Sequence, residues 1–382
     1  MAVLFFLAAV GRSYRDDATN GLASRPLLIQ KVRPGVAYRY GSAGIYNACS
    51  LVTLDDLRTQ GLTPDPDQYL DEYYPVVDQP EKTFDPEWVS IQGPSRCGIF
   101  VQGNGHVNVE VLQYPYTDIK GIEEHLLPYE VRGGTTYSLG DAKVMLRPIT
   151  PAEENRRIAG AVIISSASQM MVKIDLNLKV PSDPTPILKR LVGSAVPRLS
   201  VPPAREMELS YSPSDGDGPD ACDLLSAEDV TALVKGPADG FAHRIADLAE
   251  KRIYLNNGEQ TYYTETICER VLASSSGPAE LDGPQASFTL DTYHDAASAE
   301  LTMRQKLDPH GSSFGPPVVL PTIGDDLGVV TAPVYGDRKV VFHVGRYIGE
   351  LDYRDGTASA ESPDVLAHRV TPVAQAIAHR LR

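Results

Sequence analysis

The chain has 382 residues, of which 42% are hydrophobic and 22% charged, with a formal net charge of −15. That length suggests about two domains, each large enough to bury a core of its own. The acidic balance excludes a broad nucleic-acid footprint, which needs clustered basic residues, and it disfavours docking onto an anionic bilayer.

Ala2 to Val10 is an unbroken apolar run that ends at Gly11-Arg12. It is too short to span a bilayer, which takes about 20 residues. It matches the core of a signal peptide, although no basic residues precede it. Residues 1–11 are therefore expected to be the remnant of a signal or membrane anchor, the alternative being an N-terminal strand. Residues 12–46 are expected as a linker, with one possible strand at Leu27 to Val32 and a turn at Pro34-Gly35.

From Asn47 the chain begins a pattern that occurs twice. Asn47-Ala48-Cys49-Ser50-Leu51-Val52-Thr53-Leu54-Asp55-Asp56-Leu57 returns as Asp220-Ala221-Cys222-Asp223-Leu224-Leu225-Ser226-Ala227-Glu228-Asp229-Val230. In both, a hydroxyl residue (Thr53, Ser226) stands three positions before an acid (Asp56, Asp229). That spacing starts a helix, because the hydroxyl accepts an orphan N–H and the acid favours the positive helix end. A second cysteine follows at a matching distance, Cys97 and then Cys268. Four cysteines in two equal pairs, with no C-x-x-C, do not resemble zinc ligands. They predict two disulfides, Cys49–Cys97 and Cys222–Cys268, and an oxidising compartment.

In the first copy, residues 47–199, a short helix to about Gln60 precedes an irregular, acidic, Tyr-rich segment. Asn104-Gly105 marks a hairpin between Ile99-Phe100-Val101 and Val107 to Val111, whose alternation buries one face. A helix is expected over Asp118 to Leu126. Strands follow at Ala142–Leu146, Ala161–Ser165 and Met171–Val180, then an amphipathic helix from Pro184 to Leu199. Residues 200–219 have the Pro, Gly and Ser content of a linker. Asp215 and Asp217 within it, with Asp220 just after it, lack the order of a calcium loop. The second copy, residues 220–382, retraces the first: a helix at Ala227–Val234, a looser segment, strands near Val271 and at Ser287–Asp291, and a hairpin about Gly345-Arg346. Leu366, Val370, Val373, Ile377 and Leu381 then form a helical core stripe, and both terminal helices end in Arg-Leu, at Arg198-Leu199 and Arg380-Leu381. The predicted class is α+β: two tandem copies, each roughly αββαβββα, with a mainly antiparallel sheet packed by helices.

The stretch from Asp220 to Val230 resembles a family of actinobacterial cell-envelope proteins, many of them lipoproteins, that is catalogued as a domain of unknown function; Asn47 to Leu57 fits its pattern more loosely. Architecture and disulfide use are also similar to extracellular sensor domains of actinobacterial Ser/Thr kinases. The resemblance implies an envelope location and a binding or sensing role, and it transfers no catalytic residue. The chain departs from the family in having no cysteine near its apolar start to accept a lipid.

Catalytic motifs are missing: there is no G-x-S-x-G elbow, H-E-x-x-H, phosphate loop or dinucleotide fingerprint. His294-Asp295 has Thr117-Asp118 as its counterpart, so Asp295 reads as a helix-start residue. His343, His379 and His106 are scattered singly. No metal or cofactor is expected. Tyr69, Tyr73, Tyr74 and Trp88 in one copy, with Tyr254, Tyr262 and Tyr263 in the other, are candidates to line an apolar or sugar-binding groove, since Tyr joins a flat apolar face to a polar tip. The alternative is that they cover the sheet under long loops. The expected function is a non-enzymatic, extracytoplasmic binding or sensor module for a small molecule, glycan, lipid or envelope protein. A structural accessory of an envelope complex is the second reading, and an unrecognised hydrolase the third.

Overall fold

The computed structural model describes residues 27–32, 39–40, 43–44, 46–65, 70–77, 95–103, 105–113, 133–152, 156–179, 183–199, 207–212, 218–234, 238–254, 260–272, 285–306, 318–319, 323, 325, 329–331, 338–354 and 363–382. The apolar start, the helix expected over Asp118 to Leu126, and Tyr69 and Trp88 lie outside the described residues.

The chain opens with β1 (Leu27–Val32) and a short ladder of β2 (Arg39–Tyr40) with β3 (Ala43–Gly44). A helical turn, Ala48–Ser50, leads into α1 (Leu54–Thr59). Next come β4 (Leu70–Val77), β5 (Ser95–Val101), β6 (Gly105–Gln113), β7 (Thr135–Leu139), β8 (Ala142–Leu146), β9 (Thr150–Ala152), β10 (Arg156–Ser165), β11 (Met170–Lys179) and α2 (Thr185–Leu199). β12 (Met207–Ser212) precedes a second helical turn, Ala221–Leu224, and α3 (Ala227–Val234). Then follow β13 (Ala238–Tyr254), β14 (Gln260–Leu272), β15 (Gln285–Tyr293), α4 (Ala296–Lys306), β16 (Val318–Val319), β17 (Val329–Thr331), β18 (Arg338–Val344), β19 (Tyr347–Arg354) and α5 (Pro363–Arg380). The class is α+β, with antiparallel sheets.

Strand order is the same in the two halves. Outward from β4 it runs β4-β5-β6-β11-β10-β8-β7, with β9 also paired to β10; outward from β13 it runs β13-β14-β15-β19-β18-β17-β16. The main difference from the expected pattern lies in the first strand of each half. Residues 70–77 read as irregular because Asp71, Glu72 and Pro75 give a weak strand signal, and 238–254 read as loose. Both are strands because they pair with each other. This antiparallel ladder, from Phe241↔Val77 to Asp247↔Asp71, joins the halves into one sheet.

The register shows that the joint is two-fold symmetric. Glu72 lies opposite Cys97 on β5, and Arg244 lies opposite Cys268 on β14, so Glu72 and Arg244 occupy equivalent positions. Across the joint, Arg244 pairs with Tyr74 and Glu72 with Ala246. The axis therefore passes through the pair between them, Tyr73↔Ile245. Each half covers the other's otherwise open sheet edge, the usual site of unwanted strand pairing. The segments before each half pair as well: β1 runs antiparallel to β12, inside the stretch expected as a linker. From β1, Gln30 donates to the Cys49 carbonyl and accepts from Leu54 N–H, which seats the ribbon on the first half.

Each half buries its own core on one face of the sheet. In the first, Val107, Val109, Val111, Val172, Ile174 and Leu176 meet the buried stripe of α2, including Leu188, Leu191, Val192 and Ala195. In the second, Phe288, Leu290, Val340, Phe342 and Leu351 meet Val370, Val373, Ile377 and Leu381. Phe288 and Phe342 stack at 6.1 Å, and Gly349 leaves room for them, since a Cβ there would lie 2.6 Å from Phe342 Cζ. The β18–β19 hairpin turns in two residues with Gly345 at φ +57°, which glycine adopts without strain.

Both expected disulfides are present, Cys49–Cys97 and Cys222–Cys268. Around each, the same set of bonds recurs. Asn47 Oδ1 accepts from Cys49 N–H, and Asp220 Oδ1 from Cys222 N–H. Ala48 N–H donates to Ser95 Oγ, and Ala221 N–H to Thr266 Oγ1. Thr53 and Asp56 close a capping box, and Ser226 and Asp229 repeat it. The arginine near the end of each terminal helix then clamps both features. Arg198 donates to the Leu51 carbonyl at 2.6 Å and spans both Asp56 oxygens; Arg380 donates to the Leu224 carbonyl and spans both Asp229 oxygens.

Replacing Arg198 with Met is expected to lower the unfolding free energy by about 2 kcal/mol, because charge-assisted bonds to a carboxylate and a carbonyl are lost together. Burial opposes ionisation of Asp56, but the bonds from Arg198 and Thr53 outweigh it and hold this carboxyl below its ordinary range. The stability it contributes is present at neutral pH and is lost as pH falls through the depressed pKa, below about 4. Denaturant unfolding at pH 7 and pH 3 measures both effects: the wild type loses stability between them, and Arg198→Met loses less.

Candidate functional site

The face of the sheet opposite the core differs between the halves. β15 alternates, sending Ala286, Phe288 and Leu290 into the second core while Asp291 and Tyr293 take the other face. α4 packs there, because Ala299 and Met303 bury against Tyr293, Val341 and Ile348. Its start is fixed by Asp295, which accepts from Ser298 N–H at 2.7 Å, while His294 beside it is exposed. The His294-Asp295 pair is thus a helix cap.

At the other end of α4 stands Lys306. Its ammonium bonds Glu350 Oε1 and lies 3.4 Å from Asp291 Oδ2. Lys339 of β18 bonds the second oxygen of Glu350. Asp291 pairs with Glu265 across β14 and with Ile348 across β19. Three carboxylates and two ammoniums therefore share a site between α4 and the sheet. Tyr263 stacks on Tyr293 at 5.1 Å, with the rings 22° apart, and closes one side. The Thr302 hydroxyl, which donates to the Ser298 carbonyl, faces the buried Tyr293 hydroxyl.

Asp291 is the unusual member. It is 3% exposed, and its Oδ1 has no hydrogen-bond partner among the described residues. Burial pushes its pKa up; Lys306 opposes this, Glu350 and Glu265 add to it, and the carboxyl settles at about 7. Burial also works against the charges on Lys306 and Glu350. Their mutual attraction prevails, so the Lys306 pKa is raised and that of Glu350 lowered. Burial, followed by the Asp291 charge, raises the Tyr293 pKa.

Among the described residues of the first half, no such cluster stands at the equivalent place. Val109 lies opposite Cys97 and Phe288 opposite Cys268, which makes Leu112 the positional equivalent of Asp291. Leu112 packs with Met145, Val162, Ile164 and Met171 in an apolar cluster. Where the second half has Glu350, the first has Lys173, ion-paired with Glu110.

The described tyrosines among those singled out from the sequence take separate positions along the sheet. Tyr73 and Tyr74 fall on β4 at the joint, opposite Ile245 and Arg244. Tyr254 and Tyr262 lie on the β13–β14 ladder, opposite Gln260 and Arg252. Tyr263 joins the charged cluster, whose Asp291, Lys306, Glu350, Lys339 and Glu265 belong to no sequence motif. Their signal was the polar alternation Ser287-Thr289-Asp291 on a strand whose other face is apolar. Asp220 of the calcium-like stretch caps the Cys222 turn and pairs with the buried Arg244. His343 Nε2 lies within hydrogen-bond reach of the Gly345 carbonyl at the hairpin turn. Among the described residues, no group of His, Cys, Asp and Glu is arranged to hold a metal ion.

The chain matches no protein-family model, no curated protein and no solved structure.

Carboxyl titration by NMR tests the electrostatics of the cluster. In Lys306→Met the Asp291 midpoint is expected to rise above about 7, because the opposing positive charge is gone. In Glu265→Gln it is expected to fall, because a like charge is gone.

Proposed function

We propose that the chain is an extracytoplasmic, non-enzymatic binding or sensing module made of two tandem copies of one disulfide-stapled α+β domain. The duplication is supported by the shared strand order, the two-fold joint and the repeated Arg clamp. The two disulfides belong to an oxidising compartment. Among the described residues no helix is long and apolar enough to cross a membrane. The resemblance of the Asp220–Val230 stretch to an actinobacterial envelope family points to the same location.

The observation that carries the binding reading is the exchange of one sheet face within a constant frame. Both halves keep the same staple, caps and clamp, while the outer face is apolar around Leu112 in one and charged around Asp291 in the other. Frame residues maintain a fold; a face that varies on a fixed frame suits recognition. Glu350 is ion-paired with Lys306 and Lys339, and Asp291 is buried beneath α4 instead of presented to a substrate, which favours binding over catalysis. The ligand is a small molecule, glycan, lipid or envelope protein. A second reading, a partner-binding accessory, has β7 in its favour: Thr135–Leu139 is an uncharged, largely exposed outer strand, open to strand addition.

Thermal-shift and direct binding measurements with envelope glycans and lipids test the first reading. A ligand is expected to raise the melting temperature of the wild type, and Tyr263→Ala with Lys306→Met is expected to weaken that response with both disulfides intact. Turnover of any such compound that disappears in Asp291→Asn would replace this reading with the enzymatic one. For location, a C-terminal reporter that works only after export is expected to be active.

A further inference from the structure

α4 has a slender attachment. Of its eleven residues, Ala299, Thr302 and Met303 are buried, and Glu300 pairs with Arg304 on the outer side. Its ionic attachment is Lys306, held between Glu350 and Asp291. Beneath that contact sits a carboxylate with one oxygen unpartnered and two more carboxylates beside it.

We propose that α4 is a proton-controlled cover on the outer face of the second domain, closed while Asp291 carries a proton and loosened when it does not. The proposal deepens the binding reading by giving that face a regulator; its purpose rests on that reading, but its mechanics do not.

Among the described side chains, the charged and titratable groups around Asp291 come from every element packed against it. Lys306 comes from α4, Glu265 and Tyr263 from β14, Tyr293 from β15 itself, and Glu350 from β19, backed by Lys339 of β18. His343, also on β18, has its Nε2 within hydrogen-bond reach of the Gly345 carbonyl. One cation at 3.4 Å thus opposes two neighbouring carboxylates and deep burial, while Glu350 holds Lys306 more closely. An ionised Asp291 is served poorly under the helix and well by water. Lifting α4 gives it that water.

The direction follows from linkage. A carboxyl whose pKa is about 7 when covered, and ordinary when exposed, favours the covered state fully below about 4. That preference fades as pH rises towards 7, by about tenfold per unit at most, and changes no further above it. α4 is therefore most firmly seated in mild acid.

Hydrogen exchange of the full chain, disulfides intact and without ligand, tests this. After correction for intrinsic exchange, protection of amides 296–306 is expected to fall at least about tenfold between pH 5 and pH 7 and then level off, while 185–199 stays constant. In Asp291→Asn, and in Asp291→Leu, which installs the first half's residue, α4 protection should be flat with pH. A flat wild-type profile overturns the proposal, and so does a slope that survives in either folded variant. Because no ligand is present, failure here is separate from failure of the binding reading.

Discussion

An arginine bridging a helix cap to the last helix is the contact that closes each half of this protein. The cap needs help because a helix start leaves N–H groups without partners. Thr53 and Ser226 supply one acceptor each, and Asp56 and Asp229 return the bond. The same acids then receive Arg198 and Arg380. Each disulfide ties the cap to the strand behind it, which in the chain-entropy model contributes about 4 kcal/mol for a loop of this length. Sheet, cap and terminal helix are thus locked at one point, and the core between them is confined on all three sides.

The clamp also explains how two similar aspartates come to opposite ends. Asp56 is partly buried, but it has a bidentate guanidinium and two donors from Thr53, so its charge is welcome. Asp291 is more deeply buried, with one distant ammonium and two carboxylate neighbours, so its charge is not. Neither outcome follows from residue type. Both follow from counting donors and charges around the oxygens once desolvation has been set against them.

Much of the frame was legible in the sequence because it is local. The capping spacing at Thr53-x-x-Asp56 and Ser226-x-x-Asp229, the alternation from Val107 to Val111, the hairpin at Gly345 and the stripe from Val370 to Leu381 are all set within a few residues. The Arg-Leu endings were visible too, but their partners lie 142 and 151 residues away, a distance no local pattern encodes. β4 was missed for the same reason: a strand with two acids and a proline is stabilised by its partner across the joint. The charged cluster was hidden more thoroughly. Ser287-Thr289-Asp291 alternating with apolar residues reads as a solvated face, and the packing of α4 buries its Asp291 end.

That difference sets what each part of the molecule is free to do. The clamp cannot vary singly, because removing the arginine leaves a part-buried carboxylate and a carbonyl without their charged donor. The outer face contributes nothing to the clamp, so Leu112 and Asp291 can stand at equivalent positions without disturbing strand order. The two faces also respond to protons in opposite senses: Asp56 contributes stability as long as it is ionised, and Asp291 disfavours the closed face once it is. Between about 4 and 7 the frame holds at full strength while the seating of α4 weakens. The protein can therefore keep its frame fixed while the outer face stays adjustable, because Asp56, on α1 at the clamp, is depressed below that window and Asp291, on β15, titrates at its upper end.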